Sequence, residues 1–189
     1  MKIPVRRVVI GITGASGIVI GLRLLEVLNA EKHLIISDEA KQLMELETKL
    51  TEEDVEANAD FIYDNSDLSS PLASGSCRYD ALIVAPCSMS TLSKIAAGIA
   101  DNLITRVAAV CLKEHRPIVL VPRETPISAI HLRNMATLAE LGVVILPACP
   151  AFYPKPEKVE DMVDFVVGRI LDVLGIENTL YDRWEGKEE

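Results

Sequence analysis

The chain is poor in aromatic residues, with one Trp, four Tyr and three Phe in 189 residues. It also lacks a positive charge surplus, a paired cysteine motif and any long apolar run. Each shortage removes a class of function. The formal net charge of -9 leaves no general basic surface for nucleic acid. Cys77, Cys87, Cys111 and Cys149 are scattered, with no CxxC spacing. A chain of this length needs no covalent staples, so they read as reduced thiols of a cytoplasmic protein. His33, His115 and His131 form no ligand pattern with them, so no metal site is expected. Lys2, Arg6 and Arg7 precede a charge-free stretch from Val8 to Leu22, the outline of a secretory leader. Gly11, Gly14 and Gly17 interrupt it and no small-residue cleavage site follows, so a strand, turn and helix explain the same letters better. No segment is long enough to span a membrane.

What is present is aliphatic. Val, Ile, Leu and Ala dominate the apolar half of the chain, as a parallel sheet covered by helices requires. The length fits one domain over residues 1–189. Val8 to Ile12 reads as the first buried strand and Ile18 to Leu28 as a helix. His33 to Ser37 is a second strand, and Asp38 can cap a helix from Glu39 to about Glu47. Thr51 opens another short helix. Residues 64–79, rich in Ser, Asp, Gly and Pro, read as a long loop. Strands are expected at 80–85, 117–121 and 143–147, with helices at 91–97, 101–114, 128–140 and 158–174. Alternating strands and helices imply right-handed crossovers and an α/β fold of the Rossmann-like, flavodoxin-like kind, with helices on both faces. The 101–113 helix carries apolar residues on more than one face, from Leu103 to Leu112. So little polar surface predicts a buried helix and, for a small domain, a homo-oligomer.

In such a sheet, ligands bind at the C-terminal ends of the strands. Pro122-Arg123-Glu124-Thr125-Pro126 follows an apolar strand and holds a cation between two conformation-restricting prolines. A phosphate-like anion suits that guanidinium, and a solvated Arg–Glu turn explains it about as well. Thr13-Gly14-Ala15-Ser16-Gly17 permits close backbone approach at a helix N-terminus. It has GxxG rather than GxGxxG spacing and no Walker lysine, so a plain structural turn is an equal reading. Ser37 is free to meet a ligand, while Asp38 suits either a ribose hydroxyl or a cap. Pro86-Cys87-Ser88-Met89-Ser90-Thr91 places three hydroxyls where a cap needs one, which favours a phosphate or ribityl ligand. Cys87 has no neighbouring His and reads as a buried filler. Arg169 lies at the margin of an apolar helix face, either snorkelling or meeting an anion. Tyr153, between Phe152 and Pro154, either packs or donates its hydroxyl.

Taken together these segments resemble the UbiX-type flavin prenyltransferases, long grouped with phenylacrylic acid decarboxylase-like flavoproteins. The resemblance extends from Gly11 to about Trp184. Besides the loops above it includes Ala100-Asp101-Asn102-Leu103-Ile104-Thr105-Arg106, His131-Leu132-Arg133-Asn134-Met135, Pro150-Ala151-Phe152-Tyr153 and Val163-Asp164-Phe165-Val166-Val167-Gly168-Arg169. It implies transfer of a dimethylallyl group from dimethylallyl phosphate to N5 and C6 of reduced FMN, without a metal. The product, prenylated FMN, would serve a UbiD-type decarboxylase. The resemblance places FMN against Gly14, Ala15, Ser16, Ser37, Ser88, Met89, Ser90, Thr91 and Arg123. It places the phosphate of the donor near Lys113, Arg123, Glu124, Tyr153 and Arg169. Ser16, Glu47 and Glu124 would be catalytic, with Ser16 close to flavin N5 and Glu47 assisting proton transfer. Lys113 reads equally as a solvated helix end. By the same resemblance the assembly would be a dodecamer, with the tail from about residue 176 reaching a neighbouring copy. Two competing readings are an FMN-dependent decarboxylase of cysteine conjugates on a related fold, and a non-catalytic FMN-binding subunit of a decarboxylase complex.

Overall fold

The structure is a computed structural model that describes residues 5–186. Lys2 of the charged N-terminal segment lies outside these residues, as do the other first and last few positions. Six parallel strands form one sheet: β1 (Arg7–Ile12), β2 (Glu31–Ile36), β3 (Phe61–Asp64), β4 (Ala81–Cys87), β5 (Ile118–Pro122) and β6 (Val144–Ile145). Their order is β3-β2-β1-β4-β5-β6. Every neighbouring pair is parallel. The helices are α1 (Ile18–Val27), α2 (Asp38–Glu47), α3 (Glu52–Glu56), α4 (Met89–Ala96), α5 (Leu103–Lys113), α6 (Ala129–Glu140) and α7 (Val159–Leu174).

The period-2 alternation of β1 divides the core. Val8, Ile10 and Ile12 face one way and pack with buried residues of α1, α2 and α7. Val9 faces the other way and joins buried residues of α4, α5 and α6. The chain reverses direction around β1, which pairs with β2 on one side and β4 on the other. The loops after β1 and β4 therefore leave side by side, at the switch point where α/β sheets bind ligands.

Several expectations need correction. Residues 61–64 form an edge strand, β3, beside β2. Its side chains are mostly exposed, so no buried face marks it in the sequence. β4 continues to Cys87, two residues beyond the expected end. Pro86 is tolerated because the pairing with β5 shifts register between Val84 and Cys87. α4 begins at Met89, which puts Met89 and Ser90 inside the helix. Ser37, not Asp38, caps α2: its hydroxyl accepts the Ala40 N–H at 3.2 Å. The apolar character of α5 is satisfied within its own chain, since Leu103, Ile104, Val107, Ala108, Val110 and Cys111 are all buried against the sheet. It therefore carries no argument for an oligomer. On and beside α6, Ile127, Ile130, Leu132 and Leu141 are exposed. The segment from about 176 lies along α7 of its own chain as far as it is described, which leaves its expected reach to a neighbouring copy untested by a single chain. Tyr181 packs edge-on against Phe165 at 4.8 Å.

Candidate active site

The loops after β1 and β4 are tied together by Thr13. Its N–H and hydroxyl both donate to the Pro86 carbonyl, at 3.2 and 2.9 Å, and its hydroxyl oxygen accepts the Ser88 N–H at 2.7 Å. Thr13 is almost fully buried, so this link is rigid. Gly14 follows because nothing larger fits: an added Cβ would lie 2.5 Å from Cβ of Glu39. Gly17 then turns the chain into α1 at φ 100°.

A cavity of 410 Å³ opens over this junction. Gly14, Ser37, Ser88, Ser90 and Thr91 line it, which gathers five of the nine expected flavin contacts. Three helices, α2, α4 and α5, point their N-termini into it. The leading N–H groups of α5 are taken up by Asn65 and Asn102. The first N–H groups of α2 and α4 are therefore the ones that favour an anion there, Asp38 and Glu39 add negative charge on the α2 side, and the hydroxyls suit a polyol chain. The group's phosphate and ribityl portions thus fit the residues present. Ser88 also caps α4, accepting the Thr91 N–H at 3.1 Å, while Ser90 is exposed. Of the other expected contacts, Met89 turns into the core and Ala15 is buried without lining the cavity.

Thr13, Glu39, Asn65, Lys94, Asn102 and Ile104 also line the cavity and were not among the expected contacts. Asn65 reaches across from the loop after β3. Its backbone and side-chain oxygens accept the N–H groups of Leu103 at 2.7 Å and Ile104 at 3.1 Å. Asn102 caps α5. Lys94, paired with Asp101 at 2.7 Å, supplies the one Lys or Arg side chain among the residues lining this cavity. Thr13 was legible only as part of a turn. Asn102 lies inside a segment already singled out, whereas Asn65 sits in a loop with no distinguishing signal.

Ser16, Glu47 and Arg123 form a second cluster beside the cavity. The Glu47 carboxylate accepts the N–H groups of Gly17 at 2.9 Å and Ile18 at 3.1 Å. Arg123 donates its Nε–H to the Ser16 carbonyl at 3.1 Å. Burial pushes the Glu47 carboxyl up, but hydrogen bonds from the Ser16 hydroxyl and the two backbone N–H groups outweigh it, aided by the Arg123 charge. The net effect holds Glu47 below the usual carboxylate range, so it is ionised at neutral pH. Glu47 also borders a 540 Å³ cavity where Val19, Leu22, Val159 and Val163 alternate with the charged Arg23, Glu26, Lys158, Glu160 and Asp164. Burial pushes the Cys87 thiol far up, which keeps it protonated and supports a packing role.

The expected phosphate contacts are more dispersed. Glu124 is exposed and accepts the N–H of Thr125 at 3.0 Å. Tyr153 packs edge-on against Phe165 at 6.0 Å and Trp184 at 5.6 Å. Arg169 lines a separate 340 Å³ cavity between β6 and α7. Lys113 ends α5 and pairs with Glu114 at 2.6 Å. It precedes β5 while Arg123 follows it, so the two occupy opposite rims of the sheet. One chain thus assembles the flavin half of the expected site and leaves the phosphate half in parts.

Among the described residues there is no cluster of three or more potential metal ligands, and no helix is long and apolar enough to cross a membrane. The model of the family described as Flavoprotein matches residues 2–171. Flavin prenyltransferase UbiX of Methanocaldococcus jannaschii is 49% identical over 180 residues, covering 94% of this chain and 98% of that protein. A crystal structure described as AnUbiX (PadA1) in complex with FMN and dimethylallyl pyrophosphate superposes with a TM-score of 0.95 at 45% identity, over 98% of this chain and 100% of the other. A dodecameric FMN-dependent UbiX-like decarboxylase from Escherichia coli O157:H7 gives 0.92 at 48% identity, over 95% and 99%. With the flavin-suited cavity at the β1–β4 switch point and this degree of likeness over nearly the full length, the chain belongs to the flavoprotein family and, within it, to the UbiX flavin prenyltransferases.

Proposed function

We propose that this chain joins a dimethylallyl group from dimethylallyl phosphate to reduced FMN, making prenylated FMN. The observation that carries this reading is the 410 Å³ cavity, which unites Gly14, Ser37, Ser88, Ser90 and Thr91 under three helix N-termini, next to the Ser16–Glu47–Arg123 cluster. A 45% identical relative of the same fold holds FMN and dimethylallyl pyrophosphate.

The residues divide the work. The cavity hydroxyls and helix N-termini hold the flavin phosphate and ribityl chain. Reduced flavin, when bound, supplies a nucleophilic N5 and a ring carbon for the second bond. Breaking the allylic C–O bond of the donor releases phosphate, and Arg123, Tyr153 and Arg169 are suited to stabilise that charge. Closing the second bond releases a proton. Glu47, ionised and held by the Gly17 and Ile18 N–H groups beside Ser16, is placed to accept it.

Lys113 serves this site only if a second copy presents it, because its own chain holds it at the opposite rim. We therefore read the active form as a homo-oligomer. The exposed apolar surface around α6 and the dodecameric E. coli relative support that reading. Four free cysteines, two of them buried, suit a cytoplasmic protein, and a UbiD-type decarboxylase is the natural consumer of the product. The test is the mass of the flavin after incubation of purified protein with reduced FMN and dimethylallyl phosphate. A gain of one five-carbon unit is expected. Carbon dioxide release from a cysteine conjugate instead would favour the decarboxylase, and tight flavin binding without turnover would favour a binding subunit.

A further inference from the structure

Half of the aromatic residues of this chain meet in one place. Tyr153, Phe165, Tyr181 and Trp184 form a continuous edge-to-face series, with centroid spacings of 6.0, 4.8 and 5.6 Å. Two belong to the segment that follows α7, and that segment is anchored by a single carboxylate. Asp172 accepts hydrogen bonds from the Tyr181 hydroxyl at 2.5 Å, Arg183 Nη2 at 2.8 Å, Asn178 Nδ2 at 3.0 Å, Arg169 Nη1 at 3.1 Å and Arg183 Nη1 at 3.2 Å. Tyr181 is pressed close enough to α7 that a Cβ on Gly168 would fall 2.6 Å from its ring. Burial pushes the Asp172 carboxyl up, but the bonds from Arg183, Tyr181 and Asn178 outweigh it and bring it down to about 2. It is therefore charged at any working pH.

We propose that Asp172 and Tyr181 are positioning residues that fix Arg169 for the phosphate of the prenyl donor, so that docking of the C-terminal segment sets the affinity for that phosphate. The proposal rests on the prenyltransferase reading given above. Arg169 spends only Nη1 on Asp172 and Tyr181. Among the described residues no partner engages its Nε or Nη2, so the edge that grips a phosphate in two-point fashion is left open. That guanidinium lines the 340 Å³ cavity beside Phe165 and Cys149. The charges also favour an anion: two guanidiniums, Arg169 and Arg183, share one carboxylate. An arginine on a helix surface otherwise samples many rotamers, and holding one end reduces the entropy lost when a ligand takes the other.

The test uses the FMN-loaded full-length protein and compares wild type, Asp172→Asn, Asp172→Glu and Tyr181→Phe. For Asp172→Asn, KM for dimethylallyl phosphate should rise about ten-fold or more, the size expected for a lost charge-assisted contact. FMN affinity should stay unchanged and kcat should move far less than KM. Trypsin should cut faster after Arg183, seen as release of the peptide from Trp184 onward. Asp172→Glu should recover most of the affinity. Tyr181→Phe, which keeps the ring and removes the hydroxyl, should give a smaller KM rise and stands in if the Asn variant does not fold. Faster cleavage with unchanged KM would overturn the proposal, as would unchanged cleavage. If wild type yields no prenylated flavin, the reaction itself has been misread. The clamp is then judged by inorganic phosphate alone, which should slow cleavage after Arg183 in wild type and not in Arg169→Ala; equal rates in both would sink it.

Discussion

Arg123 and Ser16 stand 107 residues apart in sequence and are joined by a 3.1 Å hydrogen bond from Nε to the backbone carbonyl. The bond connects the loop after β5 to the loop after β1, across the intervening β4. It orients the Ser16 peptide, whose hydroxyl also serves Glu47. Arg123→Ala should therefore weaken FMN binding as well as prenyl transfer. Loss of a charge-assisted bond of about 1.5–3 kcal/mol corresponds to roughly 10- to 100-fold in affinity. Flavin fluorescence titration reads this directly, and an unchanged affinity would show that the Ser16 loop holds its shape alone.

Arg169 lies outside the flavin cavity. Arg169→Ala should abolish prenyl transfer while flavin remains bound. Loss of flavin as well would mean that the arginine has been assigned to the wrong ligand.

Glu47 links pH to stability. Its folded carboxyl lies below the ordinary range, so ionisation contributes stability that is fully present above the unfolded value of about 4.3. That contribution fades as pH falls through the lower, folded value. Glu47→Gln should remove it, so urea midpoints of variant and wild type should differ most near neutral pH and converge in acid. The same change should lower kcat by roughly 10²-fold or more if the carboxylate takes the proton. A difference that grew towards acid would reverse the sign argued here.

Gly14→Ala forces a methyl group into Cβ of Glu39, on the first turn of α2. Overpacking of this kind costs about 1–3 kcal/mol. The variant should unfold at lower denaturant and bind FMN more weakly, because the same residue lines the cavity.

Ile130, on the outer face of α6, is 66% exposed. If copies associate through this helix, Ile130→Glu should reduce the mass measured by light scattering while leaving the far-ultraviolet circular dichroism intact. An unchanged mass would move the interface elsewhere.

The sequence was most legible where local and tertiary forces agree. β1 and β5 are apolar runs buried on both faces, and the turn residues bracket them closely. β2 begins two residues earlier than expected because its polar Glu31 and Lys32 pair with β1 without being buried. β3 was invisible because Phe61-Ile62-Tyr63-Asp64 lies on the sheet edge, and backbone pairing with β2 rather than burial makes it a strand. Pro86 argued for an end to β4, and only the register shift beside β5 explains why the strand continues. The cap of α2 passed from Asp38 to Ser37 because either side chain satisfies the local rule, and the backbone placed Ser37 in the extended conformation at the cap. Within the site, Gly14 and the Ser88–Thr91 turn carried their own signal, whereas Asn65 and Lys94 are brought in by tertiary contacts alone. Lys113 carried no signal of its rim: it ends α5 ahead of β5, and only the course of the helix back along the sheet sets it opposite Arg123.

The adjacency of β1 and β4 has a consequence for how this protein can be divided. The two strands that carry the flavin loops are neighbours in the sheet but are separated in sequence by β2, β3 and the helices between them. A fragment ending before Ala81 would keep Gly14 and Ser37 yet lose Pro86, the anchor for Thr13. Such a fragment has a lone glycine turn with nothing to lean on. Split-protein or circularly permuted versions should therefore recover flavin binding only when both middle strands are supplied together, and cuts are better tolerated beyond β6, on the approach to α7, than anywhere between residues 12 and 88.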